Sequence, residues 1–363
     1  IVMPKKIAVL RVNALGDFIF TLPALQALRE TFPDAEIVYL GKVWHKDFLT
    51  GRPGPVDRVE VIPPYPGIGE LEDLIPDEDF TEAFFQRMQE EAFDIAFQIH
   101  GGGFYSNPFL KKLDAKLNVG LKTPNAVPLD INIPYINAYS EILRFLEVVS
   151  YVGATTKNIE PRITVTEKDL AEANAVLRQQ PEQKPIAVIH PGASDPRRRW
   201  PARNFAAIAD FLAEQGYQVY LSGVEFERPI MEQILTHVTR PADIYDLCGN
   251  LPLGGLTGLL SLADIIVSND TGPLHLARAL QTPSLGIFWT VNSVTAIPMT
   301  ASLHRSLISW DPYCPLCRTD CMQANFNSAH CDHKTSFTAN ISVEEVKQAL
   351  QELLVFTEIK SPV

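Results

Sequence analysis

The sequence is short of positive charge. Its 31 lysines and arginines stand against 43 acidic residues, a formal net charge of −12 over 363 residues. A nucleic-acid binder neutralises phosphates with a basic surface, so that class is excluded. Tight electrostatic adhesion to an anionic membrane is disfavoured for the same reason. Lys111, Lys112, Lys116 and Lys122 form a local basic group, which reads as a solvated face. No run reaches the roughly 18–20 apolar residues needed to span a bilayer. The first residues pass directly into a strand pattern, leaving no room for a secretory signal. The expectation is a cytoplasmic protein with at most peripheral contact at the inner face of the cell membrane. Cysteines number only five, and four of them fall within residues 314–331, which does not read as a disulfide framework. Gly-x-Gly-x-x-Gly is missing too, so a dinucleotide-dependent oxidoreductase lacks its fingerprint.

What is present is apolar material for two α/β domains: 46% of residues are hydrophobic. Lys6–Arg11 is a short apolar run of the kind buried in parallel sheets, followed by a helical pattern from Phe18. Glu36–Leu40, Arg58–Ile62 and Phe93–Ile99 read as further strands, and Phe80–Ala92 and Pro134–Val152 as helices. After a connector holding a helix over Glu167–Gln179, the alternation restarts. Pro185–His190, Gln218–Ser222, Ile265–Ser268 and Ser284–Phe288 read as strands, with helices between them. Two such blocks imply two doubly wound domains. The boundaries are placed at 1–165 and 166–340, with a closing helix and tail at 341–363.

Ligands of open α/β sheets sit beyond the carboxyl ends of the strands, so the chemistry is sought in those loops. Arg11-Val12-Asn13-Ala14-Leu15-Gly16-Asp17 follows the first strand and offers a close backbone approach and a carboxylate at a helix start. A helix-capping Asp is the plain alternative there. Ser268-Asn269-Asp270-Thr271-Gly272-Pro273-Leu274-His275 is again strand, turn and helix, and such a helix N-terminus attracts phosphate oxygens. His190-Pro191-Gly192-Ala193-Ser194-Asp195-Pro196-Arg197-Arg198-Arg199 opens a small-residue loop into three arginines, whose forks suit phosphates. Ser222-Gly223-Val224-Glu225 ends the next strand on a carboxylate that suits ribose or sugar hydroxyls.

The start Val9-Leu10-Arg11, with Gly16-Asp17 and Leu22-Pro23-Ala24-Leu25, the His190-Pro191-Gly192-Ala193 loop and the Ser268–His275 motif together resemble glycosyltransferase family 9 over nearly the whole chain. That family includes the ADP-heptose:lipopolysaccharide heptosyltransferases. The resemblance implies a GT-B fold, two Rossmann-like domains facing across a cleft. It also implies inversion at the anomeric carbon, no catalytic metal, a nucleotide-sugar donor of the ADP-heptose type, and a glycolipid or other glycoconjugate acceptor. Position by position, Asp17 matches the catalytic base. Gly192, Ala193, Ser194, Glu225, Asp270, Thr271, Gly272 and His275 fall on the donor side. Arg198 stands at the place of a family lysine, which leaves open which of Arg197, Arg198 and Arg199 meets the diphosphate. Asn13 stands where the family often has serine, and with Gly16 and His100 it falls on the acceptor side.

Two features lie outside that pattern. Asp77-Glu78-Asp79 matches an Asp-x-Asp metal motif in letters, but it sits in an acidic run ahead of a helix and reads as a solvated helix start. Cys314-x2-Cys317-x3-Cys321-x9-Cys331, with His330 and His333 beside the last cysteine, can wrap a structural zinc or iron. Free thiols in an irregular loop are the equal alternative. Two rival functions keep the same fold: a sugar-nucleotide epimerase, which needs an acid–base pair around the sugar, and a non-catalytic sugar-nucleotide binding protein in which Asp17 only caps its helix.

Overall fold

A computed structural model describes residues 3–178, 184–324 and 331–360. The chain divides into two compact units, Ile1–Thr164 and Val165–Val363. Each unit is built on one six-stranded sheet.

The first unit contains β1 (Lys6–Leu10), β2 (Glu36–Gly41), β3 (Arg58–Val61), β4 (Ile95–Gln98), β5 (Leu117–Lys122) and β6 (Ile131–Pro134). They pair in the order β3-β2-β1-β4-β5-β6, all parallel, with Ile7 opposite Ile37 on one side and Ile95 on the other. The second unit contains β7 (Ile186–His190), β8 (Gln218–Leu221), β9 (Ile244–Asp246), β10 (Ile265–Asn269), β11 (Ser284–Trp289) and β12 (His304–Ser309). Their order is β12-β11-β10-β7-β8-β9, the same winding repeated. Both sheets therefore have a topological switch point, β1/β4 in the first and β7/β10 in the second. There the chain leaves neighbouring strands in opposite directions and opens a crevice. The expected α/β class with two doubly wound domains is borne out.

The central strands are apolar throughout because helices cover both of their faces. Ala8, Leu10, Val38 and Leu40 pack against Phe84, Phe85, Met88 and Phe109 in the first unit. In the second, Trp200 lies in the core with Val267 and Ile287, and its indole N–H donates to the Ile341 carbonyl at 2.8 Å. The last helix, Val343–Lys360, adds Val346, Leu350 and Leu353 to that same core.

Two of the expected helices depart from the sequence reading. The helix expected over Pro134–Val152 is instead strand β6 followed by a shorter helix, Glu141–Ser150. Ser140 sets its start by accepting from the Leu143 N–H at 3.4 Å. The connector helix runs Glu167–Asn174, opened by reciprocal bonds between Thr166 and Asp169. Gln179, its expected end, lies outside the described residues.

Candidate functional site

In the first unit the loops after β1 and β4 meet at the switch point. Asp17 belongs to the helix Leu15–Thr31, whose cap position is Ala14, so Asp17 does not cap it. Its Oδ1 accepts instead from Arg11 Nη2 at 2.7 Å. Arg11 is only 4% exposed and also donates to Glu141 Oε2 at 2.9 Å and to the Ile99 carbonyl at 2.6 Å. A buried guanidinium of this kind demands a carboxylate beside it, and losing both would leave an uncompensated charge. Behind it, Phe145 lies 4.6 Å from the guanidinium carbon, and Arg144 grips Glu141 from the other side. Arg11 is the one partner of the Asp17 carboxylate among the described residues. The Asp17 side chain is one-third exposed. Gly16 is buried beside it and Asn13 half-buried.

His100 opens the loop after β4, and its Nδ1 accepts from the Val12 N–H at 3.4 Å. Ser106 and Gln98 fix its carbonyl at 2.8 Å each. Burial, reinforced by the Arg11 charge, pushes the His100 pKa down from 6.5 to about 4. Nearby, His45 stacks on Trp44 with ring centroids 3.6 Å apart, and burial lowers its pKa to about 3. For both groups the unfolded chain takes up protons that the folded chain refuses. Their contribution to stability is full above about pH 6.5 and is lost progressively as the pH falls towards 4. The imidazole signals of His45 and His100 should accordingly hold their neutral NMR shifts down to pH 5, while the urea midpoint falls between pH 6.5 and 4. A titration midpoint near 6.5 for either ring contradicts this.

In the second unit, the loops after β7 and β10 are stitched together by Asn269. Its amide donates to the Pro191 carbonyl at 2.7 Å and its Oδ1 accepts from the Trp200 N–H at 3.0 Å. The next residue, Asp270, is buried beneath the helix Gly272–Ala279, for which Thr271 is the cap position and Pro273 a first-turn residue. Asp270 Oδ1 pairs with His275 Nε2 at 2.9 Å; Oδ2 accepts from Asn292 at 3.2 Å and from Arg198 at 3.4 Å. Burial would raise this carboxyl. The His275 hydrogen bond and charge, with Arg198 and Asn292, outweigh it and hold the pKa below the ordinary carboxylate range.

The three arginines have three different engagements. Arg197 is clamped by both oxygens of Asp195 and lies 5.5 Å from the Trp289 ring centre, and Arg199 turns back to the Ala193 carbonyl at 2.8 Å. Arg198, 22% exposed, spans Ser194 Oγ at 2.9 Å and Asp270. It is the arginine aimed at the start of the Gly272 helix. Gly192 lies against Glu227 so closely that a Cβ there would fall 1.8 Å from Oε1. Glu227 is itself held by the Val224 N–H at 3.0 Å and faces His190 at 3.9 Å, so a side chain at 192 would have to displace this carboxylate from both. Burial, opposed by the Glu227 charge, keeps the His190 pKa below its ordinary value. Glu225 stands 69% exposed at the same loop, forked to Arg228 by two bonds of 2.6 Å.

Four groups matter here that sequence reasoning passed over: Glu141, Arg144, Glu227 and Asn292. Glu141 and Asn292 act on residues 130 and 22 positions away that only the fold brings near, while Arg144 and Glu227 make bonds three residues along that carry no signal of the site they support. The acidic run behaves as expected: Asp77 Oδ1 caps the helix Glu78–Glu90 by accepting from the Phe80 N–H at 3.0 Å. The lysines are dispersed, with Lys116 paired to Asp94 at 2.7 Å and Lys122 ending β5. Cys248 packs in the second core. In the cysteine-rich segment the fold gathers Cys314, Cys317, Cys331 and His333, their ligand atoms all within 4.8 Å of one another. Cys321 is not in that group, and His330 lies outside the described residues.

Both switch points thus carry clustered polar and charged side chains, and the chain can be compared with known proteins. The model of glycosyltransferase family 9 (heptosyltransferase) matches residues 81–319, and the chain belongs to this family. Lipopolysaccharide core heptosyltransferase OpsX of Haemophilus influenzae is 22% identical over 81% of this chain and 82% of its own length. Lipooligosaccharide heptosyltransferase 2 of the same species is 31% identical, but the match spans only 36% of this chain and 39% of that protein. The solved ADP-heptose lipopolysaccharide heptosyltransferase II of E. coli superposes with a TM-score of 0.74 at 19% identity, covering 97% of this chain and 99% of the other. The fold is therefore that of the GT-B heptosyltransferases. No helix among the described residues is long and apolar enough to cross a membrane.

Proposed function

We propose that the protein is an inverting glycosyltransferase that moves heptose from ADP-heptose to a hydroxyl of lipopolysaccharide core or a related glycoconjugate. The observation that carries this reading is the Arg198–Asp270–His275 arrangement at the start of the Gly272 helix. A diphosphate leaving group needs positive charge and aimed N–H donors, and this helix start with Arg198 supplies both. Ser194, Gly192 and Ala193 form the loop beside it, and Glu225 offers its carboxylate to ribose hydroxyls. Thr271 adds a hydroxyl at the helix cap.

Asp17 takes the proton of the acceptor hydroxyl as that oxygen attacks the anomeric carbon and the sugar–phosphate bond breaks, leaving ADP. General base catalysis of this kind contributes about 10²–10⁴-fold. Arg11, shared with Glu141, holds the carboxylate in place, while Asn13, Gly16 and neutral His100 line the acceptor side. No step uses a metal; a zinc or iron ion, where bound, is structural and sits in the cysteine-rich segment. The site of action is the cytoplasm, with the acceptor met at the inner face of the cell membrane.

The test is a panel of nucleotide sugars scored for transfer, hydrolysis and epimerisation. ADP-heptose should be consumed fastest and only with acceptor present. Interconversion of free nucleotide sugars would instead favour an epimerase, and tight binding without turnover a non-catalytic binding protein.

A further inference from the structure

The cysteine-rich segment has the geometry of a closed metal site. Cys317 and Cys331 Sγ lie 3.6 Å apart, and His333 Nδ1 lies 3.5 Å from Cys314 Sγ and 3.6 Å from Cys331 Sγ. With bonds of about 2.3 Å to sulfur and about 2.0 Å to nitrogen, the edges of a tetrahedral site are about 3.5–3.8 Å. These three edges already stand at that spacing, and all four ligand atoms lie within 4.8 Å of one another. The first two cysteines sit on one tight turn, closed by Arg318 N–H to the Cys314 carbonyl and Cys314 N–H to the Thr319 carbonyl, both 2.9 Å. Arg318 makes the reversal with a φ of 59°. Cys321 stands outside that four-atom group: its Sγ reaches the Thr319 carbonyl at 3.5 Å, and it packs in one apolar cluster with Cys314, Trp289 and Phe337.

We infer that Cys314, Cys317, Cys331 and His333 bind one zinc or ferrous ion in a four-ligand site, and that this ion fastens the segment beneath the Arg197–Arg199 loop. Three thiolates and an imidazole suit either ion and leave no open position for catalysis. The fastening runs through Phe337, four residues beyond His333. Its N–H donates to the Arg197 carbonyl at 2.8 Å, and its own carbonyl accepts from Ser309 Oγ at 2.7 Å. Its ring meets Trp289 edge-on at 4.7 Å, under the Arg197 guanidinium. Arg198 is the next residue, so holding Arg197 aims Arg198. This last consequence rests on Arg198 binding the donor diphosphate; the ligand set does not.

Elemental analysis of the purified chain should find about one zinc or iron per molecule, the content of a closed four-ligand site. Which of the two is found identifies the ion. Cys321→Ala should retain it, His333→Ala should lose it and His333→Cys should keep it. A metal-free wild-type chain, or loss with Cys321→Ala and retention with His333→Ala, overturns the ligand set. Phe337→Ala leaves every ligand in place. It should keep its metal yet bind ADP several-fold more weakly by calorimetry, and wild-type ADP affinity in that variant overturns the fastening. Wild-type protein that binds no ADP at all would contradict the donor reading instead, while metal content still decides the ligand set.

Discussion

Asp17→Asn should lower turnover by about 10²–10⁴-fold while leaving donor affinity near its wild-type value. Asparagine keeps an oxygen for Arg11 Nη2, and Glu141 still neutralises that guanidinium, so the helix and its loop should fold unchanged. What is lost is the ability to accept a proton. A reading in which Asp17 only starts a helix predicts no such loss, and the cap position is in any case Ala14. Steady-state rates set beside calorimetric donor affinities decide the matter, and near-normal turnover removes Asp17 from the mechanism.

Asp270→Ala should do something different. Asp270 is buried with His275, Arg198 and Asn292 directed at it, so its removal takes a buried carboxylate away from three partners. Breaking a buried pair in this way costs roughly 3–5 kcal/mol of stability. Donor affinity should also fall, by about 10- to 100-fold, as expected when a charge-assisted hydrogen bond worth ~1.5–3 kcal/mol is no longer aimed. The depressed pKa of Asp270 sets the sign of the acid response. Its stabilisation is full above the unfolded carboxyl's pKa of about 3.9 and is lost as pH falls through the lower folded value. Thermal melts and donor titrations of Asp270→Ala together check this, and an unchanged donor affinity removes Asp270 from the donor site.

Most of the fold was legible because parallel strands buried on both faces are written as apolar runs, as in Ile7–Leu10 and Ile265–Val267. The strands β5, β6, β9 and β12 were not. Gly120 interrupts the apolar signal of β5, and β6 buries only one face. The sheet places Gly120 directly against Gln98, where a Cβ would fall 2.7 Å from the neighbouring Cβ. The loops that carry the candidate site were readable because they follow strands and begin helices. Their internal wiring was not. Arg11 reaches Glu141 across 130 positions and Arg198 reaches Asp270 across 72, pairings that only the winding order of each sheet creates. The cysteine spacing likewise named three of the four clustered ligand atoms. It could not separate Cys321 from the other three, because only the fold of the segment around the turn at Arg318 decides which ligand atoms gather within 4.8 Å of one another.

The central claim is group transfer, and the most direct measurement is NMR of the product formed from ADP-heptose and a heptose-deficient lipopolysaccharide core. The account predicts free ADP in equal amount to a new glycoside whose anomeric configuration is opposite to that of the donor. ADP-heptose recovered unreacted in the presence of acceptor, or recovered with an epimerised sugar, would contradict it.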